Sequence, residues 1–189
     1  QRMDADTTAG KGGHARILGR FANGEIDILV GTQMIAKGHD YPGVTLVGVV
    51  NGDTSLSVPD FRAAENTFQL LTQVAGRAGR GGKPGEVLIQ TFRPRHYAIQ
   101  LAAQHDYLGF AERELEERER SGYPPYRRLV NLMVESEDPD LADRAMQRVE
   151  RMAKQGARDL GYAGLGYMGP APASIKRIRK KYRWNFGIL

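Results

Sequence analysis

The segment Gln73-Val74-Ala75-Gly76-Arg77-Ala78-Gly79-Arg80 sets an amide and two guanidiniums at regular spacing among alanines and glycines. On a helix continued through it, Gln73, Arg77 and Arg80 fall at i, i+4 and i+7, on one face. The small residues between them leave the arginines uncrowded and let backbone approach a ligand closely. A guanidinium is planar and permanently charged, and binds phosphate oxygens with two parallel hydrogen bonds. Beside a phosphoryl group in transfer, it stabilises charge in the transition state. The alternative is a glycine-rich helix end with surface arginines. The spacing, and an apolar run on either side, favour the phosphate reading.

A second candidate is Gly31-Thr32-Gln33-Met34-Ile35-Ala36-Lys37-Gly38-His39-Asp40, directly after the apolar run Ile26–Val30. Ligands of open α/β sheets gather at the carboxyl ends of strands. Thr32 offers a hydroxyl there, Gly38 permits close approach, and Asp40 suits a ribose hydroxyl or a metal-bound water. Taken alone the segment reads equally well as an ordinary strand–loop–helix junction. Asp53 and the stretch Asp60–Glu65 are weaker still. Asp60 reads first as a helix cap and Arg62 with Glu65 as a local pair.

A third candidate lies near the end of the chain. Lys176, Arg177, Arg179, Lys180, Lys181 and Arg183 sit within KRIRKKYR, with Tyr182 and Trp184 beside them. Cations track phosphates and rings stack on bases, a combination suited to single strands. A solvated loop between two strands is an equal reading. The histidines, His14, His39, His96 and His105, have no ligand spacing, so no metal site is assigned. No GxxxxGK[ST] phosphate loop occurs in the chain. Arginines set for a triphosphate without such a loop must share their nucleotide with residues outside this chain.

The elements that would hold these residues follow from pattern and punctuation. Gly13–Asn23 reads as an amphipathic helix stopped by Gly24. Ile26–Val30 and Val44–Val50 read as buried strands, Phe61–Ala78 as a helix and Glu86–Phe92 as a third strand. That alternation indicates an α/β fold with a parallel sheet. Helices are expected over Tyr97–His105 and Tyr107–Arg120. The mixed run Glu112–Arg120 reads as a solvated face laced with i,i+4 pairs. Ser121-Gly122-Tyr123-Pro124-Pro125 breaks the pattern and marks a boundary. Beyond it come a strand over Arg128–Glu135 and a helix over Asp140–Leu160 with Leu141, Ala145, Val149 and Met152 on one side. A turn is expected at Gly169–Ala173 and a last strand over Tyr182–Leu189. The division expected is residues 1–121, α/β, and 122–189, a smaller α+β domain.

With 189 residues and 41% hydrophobic residues, the chain has enough apolar material for one well-packed domain or two small ones. No apolar run reaches the roughly 18 residues of a membrane span, and no signal peptide opens the sequence. There is no cysteine, hence no disulfide or thiolate metal site. These features suit a cytoplasmic protein that does not engage membranes. The formal net charge of +5 is modest; its concentration at 176–183 matters more. Both ends read as cut, so a fragment of a longer chain is expected.

The order GTQMIAKGHDYPGVTLVGVVNGD, then PDFRAAENTFQLLTQVAGRAGR, then GEVLIQTFRP resembles the PriA (primosomal protein N′) family of replication-restart DNA helicases. The resemblance extends from RMDADTT through SGYPPYRRLVNLMVE to GPAPASIKRIRKKYRWNFGIL, nearly the whole chain. QVAGRAGR alone indicates a superfamily 2 helicase; DFRAAE before it is more specific. The family implies a RecA-like second helicase lobe followed by a small α+β, S10-like C-terminal domain. It implies ATP-dependent 3′-to-5′ translocation on single-stranded and forked DNA, with ATP and Mg²⁺ as cofactors. Single-stranded DNA-binding protein and primosome proteins are the partners it implies. Gly31–Asp40 resembles helicase motif V, where Thr32 would touch the DNA backbone and Gly38 and Asp40 would couple DNA to nucleotide. Gln73–Arg80 resembles motif VI, where Gln73, Arg77 and Arg80 would face the triphosphate. The first lobe, with its Walker motifs, is not in this chain. Nor are the family's zinc-binding cysteines. The chain by itself is therefore expected not to hydrolyse ATP. A non-catalytic DNA- or protein-binding module built on 176–183 is the alternative.

Overall fold

The computed structural model describes residues 1–4, 12–32, 43–76, 78–79 and 84–189. The chain divides into two compact units, Gln1–Ala111 and Glu112–Leu189.

In the first unit, β1 (Arg2–Met3) pairs in parallel with β2 (Val30–Gly31), and α1 (Gly13–Ala22) lies between them in sequence. Ile17 and Leu18 of α1 bury against Met3 and Ile26, with Phe21 and Leu29 at the margin. Gly24, at φ 76°, takes the left-handed turn that stops the chain after α1. A second parallel pair joins β3 (Leu46–Val49) to β4 (Glu86–Ile89), with α2 (Ala63–Ala75) between them in sequence. Helix α3 (Tyr97–Ala103) follows, then α4 (Tyr107–Ser121). Phe68 and Leu71 of α2 pack with Ala98, Ile99, Ala102 and Phe110, and Val49 and Ile89 of the sheet lie against this cluster. The Phe68 and Phe110 rings stack at 4.1 Å.

Parallel α/β order is thus as expected, but the strands are not buried on both faces. Side chains alternate along a strand. Val47, Val49, Val87 and Ile89 are half-buried on one face, whereas Leu46 and Leu88 on the other are 56% and 54% exposed. Strand β2 is also shorter than the apolar run Ile26–Val30 predicts, because Ile26 is used in the α1 cluster instead.

The second unit has β5 (Val130–Ser136), α5 (Pro139–Asp159), β6 (Tyr167–Ile178) and β7 (Lys181–Ile188). The sheet is antiparallel in the order β5-β7-β6. Asp138 caps α5, its carboxylate accepting from the backbone N–H of Asp140 (2.9 Å) and Leu141 (3.3 Å), and Pro139 opens the first turn. Ala142 and Met146 are fully buried on α5, as is Phe186 on the central strand. The apolar stripe expected on this helix is displaced: Leu141 and Met152 are 50% and 63% exposed, and the alanines Ala142 and Ala157 take the inner positions. Small side chains let the helix approach the sheet where bulky ones would hold it away.

The turn expected at Gly169–Ala173 is instead part of β6, which runs through it. Pro170 and Pro172 fit because β6 is the outer strand, where a missing N–H need not break the ladder. The register shifts between Met168 and Ala171, around Pro170. The charged run on α4 is paired as expected, Arg113 with Glu116 (3.0 Å) and Glu117 (2.7 Å) and Arg120 with Glu117 (3.3 Å). It is not wholly solvated, however. Glu114 and Arg118 are only 8% and 14% exposed, bridge at 2.8 Å, and Arg118 also donates to the Pro124 carbonyl.

Candidate nucleotide and nucleic-acid contact sites

Helix α2 ends at Ala75, with Gly76 as its C-cap, so the helical continuation to Ala78 is not observed. Glycine offers the backbone no helix-favouring side chain, and the Gly76 and Gly79 pair ends the helix where side-chain count alone predicts continuation. Gln73 sits exposed in the last turn of α2. Arg77 and Arg80 lie outside the described residues, as do Gly38 and Asp40. Thr32 is exposed immediately after β2, at the carboxyl end of that strand, as expected.

What the structure adds is how the segment after α2 is held. Gly79 has φ 79°, a backbone that an L side chain rarely adopts, and its N–H donates to the Val44 carbonyl at 3.2 Å. Gly85 passes so close to the Gly79 backbone that a Cβ on Gly85 would overlap it. Both glycines are therefore required by geometry. They bring the end of the motif to the amino ends of β3 and β4, where Glu86 N–H also donates to Thr45 (2.8 Å). The carboxyl-end rule that places Thr32 does not place this segment.

The opposite ends of the two strands are closed by Asp53. Its buried carboxylate accepts from the Phe92 N–H at 2.7 Å and the Thr91 hydroxyl at 2.8 Å, while Asn51 Oδ1 accepts from the Asp53 N–H at 3.0 Å. The Phe92 N–H holds the Asp53 carboxyl below its ordinary range; Thr91 and nearby Arg93 add to this, and burial opposes it. The structural reading of Asp53 thus holds: it is a strand-end clamp. A lowered folded-state value means that this stability is present above the ordinary carboxylate range and lost as pH falls through the folded value. Asp53→Asn is expected to lower the melting temperature at neutral pH, with the gap from the parent closing in acid. A constant gap across that titration would reject the clamp. Asp60 likewise acts locally, its Oδ1 accepting from the Arg62 N–H at 2.8 Å. Glu65 accepts from Gln69 at 3.1 Å, and Arg62 lies 5.1 Å over the Phe61 ring.

In the second unit the basic run forms a hairpin. Ile178 pairs with Lys181, and the two residues between, Arg179 and Lys180, both have positive φ (49° and 69°). That is the backbone of a two-residue hairpin turn, for which Asn-Gly is the usual choice. Residues 174–181 are all exposed. The register offset between Pro172↔Trp184 and Arg177↔Tyr182 bulges β6 opposite Arg183. The structure gathers Lys176, Arg177, Arg179, Lys180 and Lys181 on this arm and sets two expected contacts apart from them. Arg183 bridges to Glu135 at 2.9 Å and has an 18% exposed side chain. Trp184 is half-buried in the same side-chain alternation as the fully buried Phe186, across from Val134 and Pro172. Tyr182 is half-buried with the Arg177 guanidinium 4.9 Å over its ring. Sequence reasoning passed over Ile175 and Ile178, 61% and 39% exposed amid these cations; two aliphatic residues inside a basic run were the available signal.

Comparison with known proteins separates the same two regions. The family model described as the helicase conserved C-terminal domain matches residues 3–82, and that described as the primosomal protein N C-terminal domain matches residues 119–188. The replication restart protein PriA of Bacillus subtilis is 49% identical over 184 residues, 97% of this chain and 22% of that relative. The chain belongs to the PriA family. The PriA proteins of Synechocystis and Haemophilus influenzae are 47% and 39% identical over 184 and 186 residues, each across 97% of this chain. The chain spans about a quarter of the length of the PriA relatives it matches, 22% and 25% for these two. Among the described residues, no helix is long and apolar enough to cross a membrane.

Proposed function

We propose that this chain supplies the second, RecA-like motor lobe and an S10-like C-terminal domain to an ATP-dependent 3′-to-5′ DNA helicase that restarts stalled replication forks. The observation that carries the reading is the succession, in one chain, of a helicase C-terminal match over 3–82 and a primosomal C-terminal match over 119–188. The parallel β3–β4 pair with α2 supports the first part, and the β-α-β-β order of the second unit is compatible with the second.

An amide and two guanidiniums separated by alanine and glycine are a donor set suited to a triphosphate. Gln73, Arg77 and Arg80 would hold the nucleotide from this side, with ATP and Mg²⁺ bound chiefly by a lobe carrying the phosphate loop. Hydrolysis of the ATP held there would supply the free energy for movement along DNA. Thr32 would touch the DNA backbone, and Gly38 and Asp40 would relay its presence to the nucleotide. The zinc of the family has no cysteine ligands in this chain. Single-stranded and forked DNA, single-stranded DNA-binding protein and primosome proteins are the partners, in the cytoplasm.

The basic arm favours a second contribution from the same chain, a direct DNA contact in the C-terminal unit, because five cations share one exposed hairpin. The full-length protein is expected to unwind 3′-tailed duplexes in an ATP-dependent manner and to leave 5′-tailed ones paired. Equal unwinding of both, or none with ATP, would sink the motor reading.

A further inference from the structure

We infer that the β6–β7 arm docks on double-stranded DNA, with its cations on the phosphates and Ile175 and Ile178 set into a groove. The inference rests on the reading that the arm contacts DNA, and names the form of DNA it takes. Base stacking on a single strand needs free aromatic faces. The rings beside the basic run are not free. Tyr182 is half-buried with Arg177 over its face, and Trp184 is half-buried in line with Phe186. The exposed apolar groups on the arm are aliphatic, Ile175 and Ile178.

The backbone fits the same conclusion. Strand β5 pairs with β7 as far as Ser136↔Tyr182, so the Ile178↔Lys181 pair and the Arg179-Lys180 turn project past the end of β5, with Ile175 in the bulge of β6 just before them. Aliphatic side chains flanked by arginine and lysine are the combination by which proteins enter a groove and press on base steps. The turn supports this further. Arg179 and Lys180 hold left-handed backbone where Asn-Gly would be relaxed, so charge at the tip is retained against conformational preference. Among the described residues the ion pair of the arm is that of Arg183 with Glu135, which leaves the tip cations available to phosphates.

The test uses the full-length protein and two variants, each checked for unchanged melting temperature. One replaces Lys176, Arg177, Arg179, Lys180 and Lys181 with Gln; the other combines Ile175→Ser with Ile178→Ser. Binding to a blunt duplex and to a single strand of equal length is measured by fluorescence anisotropy across a salt series. The glutamine variant is expected to lose roughly tenfold or more in duplex affinity, its log–log salt slope falling by about 0.9 for each phosphate no longer neutralised. Its single-strand affinity should fall by clearly less than its duplex affinity. The isoleucine variant should lose duplex affinity at an unchanged salt slope. Equal losses on duplex and single strand would overturn the duplex inference while keeping the DNA contact. No loss on either would overturn both. An isoleucine variant that binds duplex like the parent would overturn the groove contact.

Discussion

Replacing Arg77 or Arg80 with alanine in the full-length protein is expected to lower DNA-stimulated ATP hydrolysis by roughly 10³-fold or more. The magnitude follows from where an arginine finger acts. Charge builds on the transferring phosphoryl oxygens in the transition state, and a fixed guanidinium meets it with two hydrogen bonds and a permanent charge. Lysine keeps the charge but not the planar fork, so Arg80→Lys should recover little. Because the stabilisation is greatest in the transition state, the loss should fall on kcat more than on nucleotide affinity. Steady-state ATPase with saturating single-stranded DNA, beside nucleotide binding measured separately, reads both. A variant hydrolysing ATP at the parent rate would remove the arginine from the site. The geometry of Gly79 and Gly85 provides a matched control. Gly79→Ala strains the backbone of the same segment without touching a guanidinium. A loss from that substitution that Arg80→Ala does not share would point to loop position rather than charge.

The second large effect concerns stability. Phe186 is fully buried on the central strand, pairs across from Leu132 and stacks with Tyr167 at 5.7 Å. Phe186→Ala is expected to destabilise the C-terminal unit by about 3–5 kcal/mol, since the ring is lost and the α5–sheet layer relaxes only partly around the cavity. A unit of this size has little stability to spare, so much of it should be unfolded at physiological temperature. Trp184, the sole tryptophan, lies two residues away on the same strand. Its fluorescence during urea titration reports this unit. A midpoint within the error of the parent would mean that the Phe186 layer does not hold the sheet to α5.

Several features were legible from residue types alone. Helices α1, α3, α4 and α5 appeared within a few residues of their expected limits, because Gly24, Asp138 and Gly122 mark ends locally, whereas the buried face of α5 is not the one its bulky apolar residues suggest. The basic run was equally plain. Its shape was not: proline pairs read as a turn, and only the placement of β6 at the sheet edge makes them strand residues.

The two arginines with which the chemistry began are the clearest division. Sequence determined their kind, their number and their neighbours, and through the order of motifs it determined the PriA family. These are properties of side-chain chemistry and spacing, which exist before folding. Tertiary structure decided that α2 stops at Ala75, that Gly79 bonds back to Val44, and that Asp53 closes the far end of the β3–β4 pair. It also decided which of the terminal cations stay exposed and that their aromatic neighbours are covered. Those outcomes depend on contacts between residues far apart in the chain, where packing and hydrogen-bond satisfaction override local propensity.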